Sequence, residues 1–190
     1  METKMKKYKI VYEGATDMLI NRYSHELNKE KKEVPKEKME EWEEKNWKRK
    51  ACQNDNGKLI LLDTYLLGSI RRGAFASGVQ LSKKSGKSTI SKGFIDSNLL
   101  IEESPVIEKC VVEPFSSNVK ISKATIMSIR PKIKKGWKVT FEIYDLNEMF
   151  TVQELTKLLE YCGKFIGLGD WRPKFGRYSV LEVKEVKENV

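Results

Sequence analysis

The sequence predicts an α+β fold of the ferredoxin-like (RRM-like) kind: a sandwich with an antiparallel sheet, a charged helical insertion and a basic loop or hairpin. Three observations carry this expectation. The predicted elements run strand, helix, strand, helix, a β-rich middle, strand, helix, strand. Lys7–Glu13 and Trp137–Tyr144 alternate apolar and polar residues as half-buried strands do. The clearest helix, Thr151–Cys162, falls between the second of these and a final strand, Arg177–Val186, so each half reads as strand–helix–strand. The 190 residues read as one domain, 1–190, with 29–52 as the insertion and 77–92 as the basic loop. That length can bury a core without disulfides or metals.

Taken in order, Gly14 ends the first strand, and Asp17–Asn28 reads as a short helix capped by Thr16 or Asp17. Leu19, Ile20, Tyr23 and Leu27 would form its apolar side. Lys29–Lys50 holds nine basic and seven acidic residues, and Pro35 is placed to open a helix running to about Cys52. Asn54-Asp55-Asn56-Gly57 is a turn signal, and Lys58–Leu62 a short buried strand. Asp63 can cap a helix over Thr64–Ala76 whose inner face is Leu66, Leu67, Ile70 and Ala74. Gly68 and Gly73 within it cost helix propensity, which suggests close backbone approach.

Ser77–Lys92 has neither a helical nor a strand period. Its Gly86-Lys87-Ser88 resembles the end of a phosphate-binding loop, but Leu81 stands where the pattern needs glycine, so a nucleotide triphosphatase site is rejected. Gly93–Glu102 includes a strand through Leu99–Ile101, and Ile107–Phe115 and Lys123–Ile133 are β-rich runs separated by Ser116-Ser117-Asn118. In Trp137–Tyr144, Trp137, Val139, Phe141 and Ile143 share one face, which makes Trp137 a core residue. Thr151 and Glu154 form a capping box for the last helix, and Gly163 is its expected stop.

The net charge is +9, and it is segregated. Arg71–Lys92 carries +6, Phe115–Lys138 carries +7 and Lys164–Arg177 carries +3, leaving −7 to the remainder. Such segregation focuses a positive field, for which nucleic acid is the commonest partner. The three cysteines, Cys52, Cys110 and Cys162, are widely spaced, and there is one histidine, so a Cys/His zinc site has almost no support. No cofactor or metal is expected. No apolar run reaches the length of a membrane span or a signal peptide, so the expected location is the cytoplasm, with no membrane partner.

Gly163–Val180 concentrates the chemistry. Gly163, Gly167, Gly169 and Gly176 fall within fourteen residues, around Trp171, Arg172 and Lys174. Glycine serves where the backbone must turn with positive φ or let another backbone come close. The expected division of labour is glycines for backbone approach, Arg172 and Lys174 for phosphate, and Trp171 for stacking on a base.

Three patterns carry a family resemblance: LLDTYLLGSIRR at Leu61–Arg72, with Gly68 and Arg71; Gly167-Leu168-Gly169, six residues, then Gly176, Arg177 and Tyr178; and Asp17–His25 after the first strand. Together they resemble the RAMP superfamily, RNA-binding proteins of CRISPR systems built on ferredoxin-like folds. Arg177 stands where that family's glycine loop usually has an apolar residue, and Tyr178 where it usually has glycine. The whole ordering, with its DWRPKFGRY ending, is also similar to proteins of tailed bacteriophages and prophages.

The resemblance implies a non-catalytic backbone subunit binding single-stranded nucleic acid, RNA above DNA, as a homo-oligomer or part of a nucleoprotein complex. The expected contacts are Arg71, Arg72, Lys83, Lys84, Lys87, Arg130, Lys132, Trp171, Arg172, Lys174 and Arg177. The basic loop would be a thumb, and Arg71 and Arg72 part of the palm. The resemblance also implies an enzymatic alternative, a metal-independent endoribonuclease. His25, the sole histidine, would be its general acid or base, and Arg22 its cation. Two further alternatives are a phage protein that binds a host defence or replication component through Lys29–Lys50, and a binder of a small polyanion such as a cyclic nucleotide.

Overall fold

The computed structural model describes residues 5–83, 90–121 and 124–186. Lys84, Lys87 and the phosphate-loop-like Gly86-Lys87-Ser88 lie outside the described residues.

The main sheet is built around β1 (Lys6–Gly14). It pairs antiparallel with β7 (Lys138–Asp145) on one side and β8 (Tyr178–Val186) on the other. Two short strands, β3 (Leu99–Leu100) and β4 (Ile107–Glu108), pair with the outer edge of β7. With the helix α3 (Asp63–Ala76) after β1 and α5 (Val152–Tyr161) after β7, this is the β-α-β-β-α-β arrangement. Tyr8, Ile10 and Tyr12 alternate along β1 and join one core with Leu66, Ile70 and Ala74 of α3 and Leu155, Leu158 and Leu159 of α5. Trp137 is fully buried in that core. The opposite face carries ion pairs across strands, Lys7–Glu142 at 2.8 Å and Lys9–Glu182 at 3.3 Å.

A second sheet, in the order β2-β6-β5, consists of β2 (Met18–Leu19) and the hairpin β5 (Val112–Ile121) and β6 (Ala124–Ile133). Ser116-Ser117-Asn118 is not a break. The three pair with Ile129, Ser128 and Met127 in the middle of the ladder, whose cross-strand bonds override the turn preference of those residues. The expected helix over Asp17–Asn28 is also corrected. Met18, Leu19 and Ile20 are consecutive and all essentially buried, which an extended strand paired with β6 achieves and one helix stripe cannot. Helix α1 (His25–Glu33) begins only at His25, with the Ser24 hydroxyl accepting from Leu27 N–H.

After Pro35 a 3-10 turn (Lys36–Lys38), α2 (Met39–Asn46) and a second 3-10 turn (Trp47–Lys50) follow, close to the expected insertion helix. Lys58–Leu62 makes only isolated bridges, Gln53 with Leu59 and Ile60 with Val106. Asp63 is the first residue of α3 rather than its cap; Leu62 holds the cap position. The stretch before β3 contains a short helix, α4 (Lys92–Asn98), that the periodicity did not reveal. Thr151 and Glu154 form the expected capping box. Gly163, however, does not stop the helix. α5 continues as a π turn over Cys162–Ile166 and ends at Gly167, whose φ is 74°.

Candidate nucleic-acid interface

The loop after α5 is locked by backbone contacts that only glycine permits. A Cβ on Gly176 would stand 1.8 Å from the Leu168 carbonyl oxygen, and one on Gly169 would stand 2.3 Å from that of Leu19. Both residues also have positive φ, 78° and 75°. Leu168 N–H donates to the Gly176 carbonyl, Asp170 N–H to that of Leu19, and Gly176 N–H to that of Asp17, each at 2.8 Å. The loop is thereby stitched to the β2 segment, and through it to the β5–β6 hairpin.

This places three aromatic rings together. Phe115 of β5 meets Trp171 edge-on at 6.0 Å and Phe175 at 5.4 Å between centroids. Cations surround them: Arg130 lies 4.8 Å from the Trp171 ring, Lys132 5.4 Å from Phe115 and Lys174 5.8 Å from Phe175. Trp171 is 36% exposed and Phe175 and Phe115 are half-buried, so the platform is accessible.

A second group adjoins it. Arg172, one residue along the loop, has a buried Nη1 with no hydrogen-bond partner. Burial pushes its guanidinium below the ordinary value, and the like charge of Arg72 pushes it the same way, opposed by Tyr65 and Asp170. Tyr65, Gly68 and Arg72 sit at helical spacing on one side of α3. Nothing lies within 4 Å of where a Gly68 Cβ would be, so the surface there is open.

The structure divides the expected contacts. Trp171, Arg172, Lys174, Arg72, Arg130 and Lys132 converge around the loop. Arg177 is exposed at its end, and its Nε donates to the Pro173 carbonyl at 3.0 Å. Arg130 is 5% exposed, paired with Asp170 at 2.9 Å and donating to the Ser117 hydroxyl at 3.1 Å; its charge is already answered and it props Trp171. Lys132 is held by Glu113 at 2.7 Å. Arg71 turns toward α4 and pairs with Asp96. Lys83 pairs with Glu148 beside the start of α5, the end of that helix away from the loop. His25 and Arg22 are exposed at the start of α1, and neither side chain has a hydrogen-bonding partner among the described residues.

Phe115 and Tyr65 escaped the sequence reading. Phe115 had a signal, since it alternates with the polar Glu113 and Ser117 on one face of β5. Tyr65 had one in its spacing of three and seven from Gly68 and Arg72.

The hairpin has a second support from the insertion. Glu43 of α2 is fully buried, accepts from Lys31 Nζ at 2.5 Å and from Ile129 N–H at 2.9 Å, and pairs with Lys50. Lys50 Nζ also donates to the Ile129 carbonyl at 2.7 Å. Burial pushes the Glu43 carboxyl up, but the hydrogen bonds from Lys31, Lys50 and Ile129 outweigh it and hold it below the usual carboxylate range.

Among the described residues no group of three or more His, Cys, Asp or Glu is placed to hold a metal ion. No described helix is long and apolar enough to cross a membrane.

No protein-family model matches the chain, and no curated protein matches it. Solved structures do. The chain aligns with a chain of the cryo-EM structure of the type III-B Cmr-beta bound to cognate target RNA at a TM-score of 0.60 and 12% identity. That alignment covers 97% of this chain and 61% of the other, so this chain spans only part of its length. It also aligns with Cmr6 from Pyrococcus furiosus at a TM-score of 0.50 and 9% identity, over 94% of this chain and 98% of that one. Both neighbours are RAMP-superfamily proteins of type III-B CRISPR systems. The fold is ferredoxin-like and is shared with these two structures. Sequence and structure meet at that level: the resemblance drawn from glycine spacing and LLGSIRR agrees with the neighbours that shape alone finds, at an identity too low to carry residue roles across.

Proposed function

We propose that the protein binds single-stranded nucleic acid, RNA in preference to DNA, without cutting it, as a homo-oligomer or a subunit of a nucleoprotein complex. The observation that carries this is the junction of the glycine loop with α3. Arg172, with an unpartnered buried Nη1, feels the like charge of Arg72 there, beside the Phe115–Trp171–Phe175 platform. Clustered cations short of counter-charges are costly unless an anion completes them. Exposed rings beside them suit unstacked bases, which single strands offer and duplexes hide. The RNA-bound state of the Cmr-beta structure supports the choice of RNA.

In this reading Arg72, Arg172, Lys174 and Arg177 contact phosphate, and Trp171 stacks on a base. Arg130 and Lys132 hold the platform in place. Arg71 and Lys83, paired with Asp96 and Glu148, do not line the site.

The test is salt-dependent binding of labelled single-stranded RNA, single-stranded DNA and duplex, with product gels alongside. Single-stranded RNA should bind most tightly, with affinity falling steeply as salt rises. No binding to any of the three at about 50 mM salt would overturn the reading, because the phosphate contribution is large there. Cleavage that survives chelator and disappears in His25→Ala would replace it with the endoribonuclease.

A further inference from the structure

A cleft of about 180 Å³ lies between the 21–31 segment, α2 and β6, and meets the aromatic platform at Arg130. Four cations line it: Arg22, Lys31, Lys50 and Arg130. Two carboxylates answer them, Glu43 against Lys31 and Lys50, and Asp170 against Arg130, which leaves a net charge of +2. One of the two excess charges is on Arg22, whose exposed side chain has no hydrogen-bonding partner among the described residues, and the other is left on Lys31 and Lys50, which share Glu43. The walls add neutral donors and acceptors from Asn21, Asn28 and Ser128, and one ring, Trp42, with Lys31 Nζ 5.8 Å from its centroid.

We propose that this cleft binds the phosphomonoester of a nucleotide, either the terminal phosphate of a strand or a free nucleoside monophosphate. A dianion matches the excess charge, and amide and hydroxyl groups complete its hydrogen bonds. The cleft is lined by α1, by Trp42 and Lys50, and by Ile126, Ser128 and Arg130 of β6, a setting that suits the phosphate of a chain end. Its volume is below the roughly 300 Å³ at which pockets begin to enclose whole drug-sized ligands. It therefore takes the phosphate and its sugar, leaving the base outside, where Tyr23 is 77% exposed. The lysine at its base supports the assignment. Burial pushes the Lys50 ammonium below its ordinary value, Lys31 and Arg130 add to this, and Glu43 opposes it, so a bound anion would relieve the strain on its charge.

This inference stands apart from the strand-binding reading, with which it shares only Arg130. The test compares AMP with adenosine, and hydroxyl-ended RNA decamers with the same decamers carrying a 5′- or 3′-phosphate. Wild type, Arg22→Gln and Arg22→Gln/Lys31→Gln are compared, with circular dichroism to show that each is folded. Arg22→Gln removes an exposed side chain with no partner, so its fold is not at risk. The expected result is a preference of about tenfold for the phosphorylated partner in wild type, reduced in Arg22→Gln and abolished in the double variant. A preference seen only with RNA assigns the source to a strand end, and one seen only with AMP to a free nucleotide. Equal binding with and without phosphate in both series would overturn the proposal, as would a preference that Arg22→Gln leaves untouched. Failure of hydroxyl-ended RNA to bind would sink the strand-binding reading and leave the AMP comparison intact.

Discussion

The glycine loop and the charged insertion both grip the β5–β6 hairpin, and they do so by different physics. The loop reaches it through Asp170 on Arg130 and through Trp171 and Phe175 on Phe115, contacts that stay partly open to solvent. The insertion reaches it through Glu43 and Lys50, whose charges are buried and bonded to both backbone groups of Ile129. A buried ion pair that loses one partner leaves an uncompensated charge, so the insertion grip is costly to break. The loop grip keeps rings and guanidinia accessible. The lesson is that one hairpin is anchored by the insertion and equipped by the glycine loop.

The sharpest way to break this contrast is at Glu43. Glu43→Gln should cost about 3–5 kcal/mol in urea unfolding, because Lys31 and Lys50 lose their counter-charge. The folded-state acidity of Glu43 is stronger than its unfolded value, so its contribution is present above about pH 4.3 and disappears as pH falls further. The stability gap between wild type and variant should therefore narrow in acid. A gap that is independent of pH would show that the triad's charge is not what matters.

Next in size is Gly176→Ala. The added Cβ meets the Leu168 carbonyl at a residue with positive φ, and a loss of about 2 kcal/mol or more is expected, together with weaker RNA binding. Unchanged melting would mean that the loop relaxes freely and is not stitched to β2.

Trp171→Ala should weaken single-stranded RNA binding by about 1–3 kcal/mol, the stacking of one base. Loss of the Arg130 contact should cost folding stability only about 1 kcal/mol. The reverse pattern, a large stability loss and no change in binding, would make the platform a piece of core.

The smallest effect on stability is expected from Arg172→Ala with Lys174→Ala. Melting should stay nearly unchanged, since Arg172 Nη1 has no hydrogen bond to lose and Lys174 is exposed. The logarithmic salt slope for single-stranded RNA should fall by about 1.4, two phosphate contacts at about 0.7 each. An unaltered slope would move the phosphate contacts elsewhere.

What was legible in the sequence follows from locality. The alternation in Lys7–Glu13 and Trp137–Tyr144, the Thr151–Glu154 capping box and the glycine spacing depend on neighbours a few residues away, and those elements stand where they were expected. The misassigned elements were decided at long range. Met18–Leu19 is a strand because β6 lies beside it, and Ser116–Asn118 is straight because a partner strand fills its hydrogen bonds. Gly163 sits within a turn because the Tyr178 carbonyl approaches to 2.2 Å of where its Cβ would be. The chemistry divides in the same way. The sequence by itself determined the positive field, the cations and ring of the loop, and a fold class confirmed by shape. Only the tertiary structure decided which charges are free. Arg130 is cancelled by Asp170 and Glu43 is sunk between two lysines, while Arg172 Nη1 is left without a hydrogen bond, because pairing depends on distances of a few ångströms between residues far apart in the chain.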